Sequence, residues 1–301
     1  MHISVLLEES INYLNIKDDS IIVDCTLGYG GHSSAILKKI PNGFLYAFDQ
    51  DEEAIKVAKK KLDKISDNFQ IINKNFVNLN EEIKKPVDGI LFDLGVSSPQ
   101  LDEDYRGFSY HKDAKLDMRM NIKQKLSAYE VVNDYPYEKL IDIFKNYGEE
   151  KYSVSIAKAI IKNREKKPIE TTFELAEIIK ENVPIKYRNK SHPARKIFQA
   201  IRIEVNDELN VFEKALNDAL KLLKPKGRIC VITFHSLEDR ICKKVFKKVS
   251  SLPKELENLP IVPKEYKPKY KIIANIKPAA SEIEKNRRSR SARLRVIERE
   301  W

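Results

Sequence analysis

The sequence predicts an α/β fold in which a parallel sheet is interrupted by a helical insertion and then resumed. Three observations carry that expectation. Short apolar runs alternate with amphipathic helical segments in β-α-β-α-β order as far as Asp93. From about Leu101 to Val205 the helical segments are joined by polar linkers and strands are hard to find. A long helix and a further apolar run then restore the first pattern.

The elements follow in order. Ile21, Ile22 and Val23 read as a short buried strand, followed by a glycine-rich turn and a helix starting near His32. Phe44 to Phe48 is a second strand that ends at Asp49. Ile55, Ala58, Leu62 and Ile65 recur at helical spacing, and Gln70 to Ile72 begins a third strand. Val87 to Asp93 supplies the fourth. Inside the insertion, Thr171-Thr172-Phe173-Glu174 has the form of a capping box, in which hydroxyl and carboxylate satisfy free amides at a helix start. Leu175, Ile178 and Ile179 give that helix its apolar face, and Pro184 lies near its end. Later, Leu209, Phe212, Leu216, Leu220 and Leu223 line a long helix that Pro225 and Gly227 stop. Arg228 to Phe234 is a fifth buried strand, and Tyr270 to Ile276 and Ala292 to Ile297 can close the sheet as an antiparallel pair. The expected organisation is a discontinuous domain, 1–104 with 206–301, and a helical insertion domain, 105–205, suited to recognising a substrate.

Bulk properties narrow the function classes. With 55 Lys+Arg against 45 Asp+Glu, the net charge of +10 favours a polyanionic partner, although an ordinary lysine-rich surface explains it equally well. Cys25, Cys230 and Cys242 are odd in number and widely spaced, as expected of reduced, packed thiols in a cytoplasmic protein. The five histidines lack metal-ligand spacing, so no metal is expected. Glu8 and Glu9 interrupt the start where a signal peptide needs an apolar stretch, and no run is long enough to span a membrane.

Asp24-Cys25-Thr26-Leu27-Gly28-Tyr29-Gly30-Gly31-His32 lies between the first strand and its helix. Glycines let backbone amides approach a ligand, and the helix start adds partial positive charge. A purely structural turn is the alternative. Asp49 lies 21 positions after Gly28, near the ~20 expected of a carboxylate that accepts hydrogen bonds from an adenosine ribose. NAD and S-adenosylmethionine both present that ribose. A dinucleotide needs a second nucleotide-binding half, and here the insertion interrupts the layer straight after strand four. Asp93 then falls near a methyl-donor pocket, and Asp24 can meet the methionine ammonium or simply cap the turn.

Beyond Asp93 the chain runs Leu94-Gly95-Val96-Ser97-Ser98-Pro99-Gln100. Amino-group methyltransferases carry a Ser/Asn/Asp-Pro-Pro-Tyr-like loop at this place. Such a loop accepts hydrogen bonds from an aryl amine and directs its lone pair at the methyl group, so positioning carries most of the catalysis. Ser98-Pro99-Gln100 lacks the second proline and the aromatic residue.

The chain as a whole resembles the ribosomal RNA small subunit methyltransferase H family, the bacterial N4-methylcytidine enzymes. The resemblance runs through Gly28 to Ser33, Asp93 to Gln100, Arg106-Gly107-Phe108-Ser109, Leu116 to Met120, Tyr147 to Glu150, His192-Pro193-Ala194, Phe198 to Ile203, Phe234 to Arg240 and Arg290 to Arg295. It implies a Rossmann-like class I S-adenosylmethionine-dependent methyltransferase with an inserted helical domain. It implies that Gly30, Gly31, His32, Asp49, Phe76, Asp93 and Gln100 contact S-adenosylmethionine, with Phe76 beside the adenine. It further implies a target cytidine in the decoding region of 16S ribosomal RNA within the small subunit, methylated on N4 by direct in-line transfer.

On this reading Asp93, Ser98, Pro99 and His235 hold positioning roles in catalysis. His235, at the end of strand five, can orient a flipped base, accept a proton, or be a strand-end histidine satisfied by backbone. Phosphate contacts are expected from Arg106 and Arg119, unless these pair internally with Asp102, Asp104 or Asp117, and from Arg188 and Arg195 around His192-Pro193. The dense basic stretch carrying Arg290, Arg293 and Arg295 is expected to join them, with a solvated edge-strand face as the alternative. A homodimer is compatible with the sequence. Two other classes fit parts of it: an NAD-dependent oxidoreductase, and a non-catalytic RNA-binding factor, for which the retained donor-pocket glycines and carboxylates have no use.

Overall fold

The computed structural model describes residues 4–96, 104–189, 192–253, 256, 263 and 266–301. Its strands are β1 (Ile21–Asp24), β2 (Phe44–Asp49), β3 (Phe69–Asn73), β4 (Val87–Asp93), β5 (Leu223–Thr233), β6 (Tyr270–Ile276) and β7 (Arg293–Arg299). Among the described residues they form one sheet in the order β3-β2-β1-β4-β5-β7-β6. β3 through β5 pair in parallel, whereas β7 is antiparallel both to β5 and to β6. Strand order reverses between β1 and β4, which opens a crevice at the carboxyl ends of those two strands.

Side chains alternate across the sheet and build an apolar layer on each face. Val23, Ile90, Phe92, Ile229 and Val231 pack on one side with Phe212 and Phe246 from the helices Glu208–Leu222 and Ser236–Ser250. Ile22, Leu91, Cys230, Ile232, Leu294 and Val296 pack on the other with Ile36 and Leu37 from the helix Gly31–Leu37. These near-continuous apolar strands are what a sheet covered on both faces requires. All three cysteines are buried and free, and burial pushes each thiol up, so none is poised as a nucleophile.

Two details depart from the expectation. Pro225 and Gly227 do end the preceding helix, at Leu222, but β5 already begins at Leu223. A register shift between Val87 and Gly89 absorbs the extra residues, and Pro225 sits on the exposed stretch of the strand. The antiparallel pair also does more than lengthen the sheet, because β7 inserts between β5 and β6.

The chain divides into two compact units, Met1–Gly95 with Leu209–Trp301, and Val96–Glu208. The first division falls at Gly95, against the 104/105 expected from sequence, because the chain leaves the sheet as soon as β4 ends. The second unit has a core of its own, in which Val131, Leu140, Phe144, Ile156, Leu175 and Ile197 are buried. Both Ser127 and Thr171 close capping boxes, with Glu130 and Glu174 as the reciprocal carboxylates. Asn206 binds the irregular 104–127 segment to the helix Ala194–Asn206: its side chain accepts from the Met120 amide at 2.8 Å and donates to the Met118 carbonyl at 2.8 Å. Among the described residues no helix is long and apolar enough to cross a membrane.

Candidate active site

Three carboxylates end neighbouring parallel strands: Asp24 on β1, Asp49 on β2 and Asp93 on β4. Their surroundings give them different tasks. Asp24 is fully buried, and its carboxylate is committed to the chain: it accepts from the Thr26 amide at 3.0 Å and the Ser33 hydroxyl at 2.6 Å. Burial raises its pKa, and the bond from Ser33 opposes that rise. Of the two roles open to Asp24 in the sequence, the geometry displays the turn cap.

Asp49 holds the glycine turn from the other side. Its Oδ2 accepts from the Gly28 amide at 2.8 Å and its Oδ1 from the Asp51 amide at 2.9 Å. Each oxygen keeps further lone pairs, and the residue is only partly buried, so the carboxylate can still accept from a ligand hydroxyl. Desolvation lifts its pKa to about 6 against the pull of those amides. Phe76 follows β3, half-buried, with its ring edge-on to Phe92 at 5.7 Å. A 3.2 Å bond from Asn75 Nδ2 to Gln50 Oε1 ties the Phe76 turn to the residue after Asp49.

Asp93 borders the crevice. Its amide donates to Thr26 Oγ1 at 2.7 Å, and its Oδ2 lies 3.4 Å from His32 Nδ1. Burial disfavours charge on His32, but the Asp93 and Asp24 carboxylates outweigh that and raise its pKa. Asp93 Oδ1 and His32 Nε2 are buried with no hydrogen-bond partner among the described residues. Buried polar atoms seldom stay unsatisfied, so a donor on Asp93 Oδ1 is what a bound ligand would supply, whereas the Val5 backbone also acts on the His32 imidazole and favours its charged form.

The glycine turn is shaped by the protein as much as for a ligand. Gly30 caps the helix Gly31–Leu37 from the left-handed region, φ +73°, where a side chain is disfavoured. At Gly31 a Cβ would stand 1.8 Å from Ser4 Oγ. The missing Cβ therefore admits the N-terminal segment, not a ligand.

The remaining expected residues are distributed differently. Ser98, Pro99 and Gln100 lie outside the described residues. His235 precedes the helix Ser236–Ser250, with Nε2 3.1 Å from Glu238 Oε1, while Glu238 Oε2 accepts from the Phe234 amide at 2.7 Å. It sits at the tip of β5, three residues beyond Ile232, the register partner of Asp93.

Several arginines expected on phosphates are engaged by partners within the protein. Arg106 is 5% exposed and donates to the Arg119 and Met120 carbonyls at 3.0 and 3.3 Å. Arg119 is held by both oxygens of Asp117, at 2.9 and 2.6 Å, and by the Gln124 carbonyl. The pair lowers the Asp117 pKa despite burial, the internal alternative allowed by the sequence. Arg188 donates to the Val183 and Glu181 carbonyls at a helix end. Arg295 makes a two-pronged pair with Asp239 at 2.6 and 3.1 Å. Arg195 and Arg290 are exposed, and Arg293 is half-buried with a 3.2 Å bond to Asn275.

Sequence reasoning missed Thr26, Ser33 and Ser4. The Thr two residues after Asp24 was the available signal, since an Asp-x-Thr step commonly closes on itself. Nothing in the linear order pointed to Ser4.

A strand-order reversal flanked by a glycine turn, an acid ending β2 and an acid ending β4 defines a class I S-adenosylmethionine-dependent methyltransferase with a Rossmann-like sheet. The β7-β6 antiparallel edge replaces the second nucleotide-binding half that NAD would need. The MraW methylase family matches residues 1–300, and the chain belongs to it. The chain is similar to the ribosomal RNA small subunit methyltransferase H of Exiguobacterium sibiricum, at 55% identity over 305 residues, 99% of this chain and 98% of that one. Among solved structures it is similar to an rRNA methylase from Streptococcus thermophilus, with a TM-score of 0.44, 13% identity, and 97% and 93% of the two chains covered.

Proposed function

We propose that the protein methylates the exocyclic N4 amine of a cytidine in the decoding region of 16S ribosomal RNA, acting on the small subunit in the cytoplasm. The observation that carries this reading is 55% identity, end to end, with a relative bearing the name of a small-subunit rRNA methyltransferase.

S-adenosylmethionine, when bound, supplies an electrophilic methyl group on a sulfonium. The residues at the strand tips fit it. Asp49 would accept from the ribose hydroxyls, Phe76 would lie against the adenine, and Asp93 Oδ1 would take a donor from the methionine end, with His32 steadying Asp93. The backbone at Gly30 and Gly31 would border the ligand, with Gly31 leaving room for Ser4 and not for the ligand itself. Gln100 would complete the cofactor contacts.

The acceptor amine is a weak nucleophile because its lone pair is delocalised into the ring. Ser98 and Pro99, from the loop after β4, would accept its N–H bonds and aim that lone pair in line, and His235 would orient the base. After transfer the amine carries an extra proton, which water can remove. The helical unit would recognise RNA, with its exposed Arg195 meeting a phosphate, and Arg290 and Arg293 of the sheet unit would add further phosphate contacts.

Incubating the protein with labelled S-adenosylmethionine and undermethylated small subunits, followed by nucleoside mass spectrometry, tests the reading. N4-methylcytidine is the expected product. Label confined to protein, or found on another nucleoside, overturns it.

A further inference from the structure

The helical unit carries an aromatic cluster that its core does not explain. Tyr110 and His192 stack with centroids 4.4 Å apart and planes at 19°, and His111 leans on the same tyrosine at 4.3 Å. Phe198, buried in the core, meets Tyr110 edge-on at 5.6 Å and anchors the group. The two imidazoles lie outermost: His111 and His192 are exposed, whereas Tyr110 is half-buried.

Packing alone accounts for Tyr110 on Phe198, but not for two ring faces turned to water. Charge accompanies them. Arg195 is exposed and close enough to Tyr110 to pull its pKa down, although burial dominates and raises it. Lys180 and His111 add to burial in lowering the pKa of His192, against Glu177. Partial burial and the neighbouring positive groups thus favour the uncharged form of the His192 ring. Stacked rings flanked by cations are how proteins hold unpaired nucleotides, since every base offers a π-face and every linkage a negative phosphate. Duplex offers no free base face to such a platform.

We infer that His192, His111 and Tyr110 form a stacking platform for an unpaired nucleotide of the RNA substrate, with Arg195 on the adjoining phosphate. The inference rests on the proposed RNA substrate and names the surface of the helical unit that grips it. It concerns a nucleotide flanking the target, not the reacting base.

The test uses the full-length protein and a fluorescent, unstructured oligocytidine RNA, read by anisotropy. Replacing both His111→Ala and His192→Ala should weaken binding about tenfold, the scale of one lost base stack. The pair His111→Phe and His192→Phe should keep binding within about twofold, because a phenyl ring stacks without the imidazole nitrogens. Binding of S-adenosylhomocysteine and the thermal melt followed by circular dichroism should both be unchanged in each pair, the first reporting an intact sheet unit and the second an intact helical unit. With small subunits as substrate, the alanine pair should raise KM and leave kcat in place. Wild-type affinity from the alanine pair, equal losses in the alanine and phenylalanine pairs, or a wild-type protein that leaves the probe unbound would each overturn the inference. Methylation by the wild-type protein judges the proposed function separately: turnover with no effect of the substitutions sinks only the platform.

Discussion

At the scale of single residues, Asp49 makes the sharpest prediction. Its folded pKa of about 6 lies above the ordinary 3.8, so the folded, ligand-free protein holds the proton more tightly than the unfolded chain. Stability from this group is therefore full below about pH 4, is lost as pH rises through about 6, and is level beyond. Ribose hydroxyls favour the ionised carboxylate, so ligand affinity should move the opposite way. Calorimetry with S-adenosylhomocysteine should show affinity falling below about pH 6, approaching tenfold per pH unit, and Asp49→Asn should flatten the profile and weaken binding at neutral pH. A pH-independent affinity in the native protein would remove Asp49 from the site.

The arginines make the second prediction at this scale. Arg295→Ala breaks the two-pronged pair with Asp239, which is partly exposed, and should lower stability by about 1 kcal/mol while leaving the salt dependence of RNA binding unchanged. Arg290→Ala should do the reverse, reducing the slope of log affinity against log salt by about one unit. Titrations at several salt concentrations distinguish them. These arginines also mark the limit of what a sequence reveals. Arg293 and Arg295 were legible as one face of a strand, but the carboxylate that takes Arg295 arrives from a helix 56 positions earlier in the chain. Charge is written in the sequence, and its partner is not.

Elements were more legible than side-chain partnerships. The periodicity of β1, β2, β4 and β6 and the Thr171 capping box all translate into the structure, because each depends on neighbours within a few residues. Ser127-Ala128-Tyr129-Glu130 carries the same box signature and closes in the same way. What local pattern could not reveal is strand order, since pairing β7 between β5 and β6 depends on contacts distant in sequence. The glycine turn shows the same divide. Its position was plain, but the reason for Gly31 was not, because Ser4 comes to it from outside the motif. Gly31→Ala should push the N-terminal segment off the helix start and lower stability by about 1–3 kcal/mol. Adding Ser4→Gly, which vacates the clash, should restore much of it, as thermal melts of the single and double variants would reveal.

For the whole molecule, the helical unit has a core drawn, among the described residues, from its own segment, with capped helices and the Asn206 tie closing its irregular stretch. A fragment spanning 96–208 should therefore unfold cooperatively by circular dichroism, with a sloping, non-cooperative melt counting against it. The divided unit is the opposite case. Removing 209–301 would strip the Leu294 and Val296 side of the core and leave β4 without β5, so 1–95 alone should not hold a sheet.

That interior placement of β7 also orders events at the ribosome. β5 can dock on β4 early, but β6 waits for a neighbour that is translated after it, since its partner in the sheet is β7. The donor pocket's scaffold thus stays open at one edge until residue 299 has emerged, while the inserted helices can settle long before. Arrested nascent chains should gain protease resistance in two separate steps, the helical unit first and the sheet only at the last.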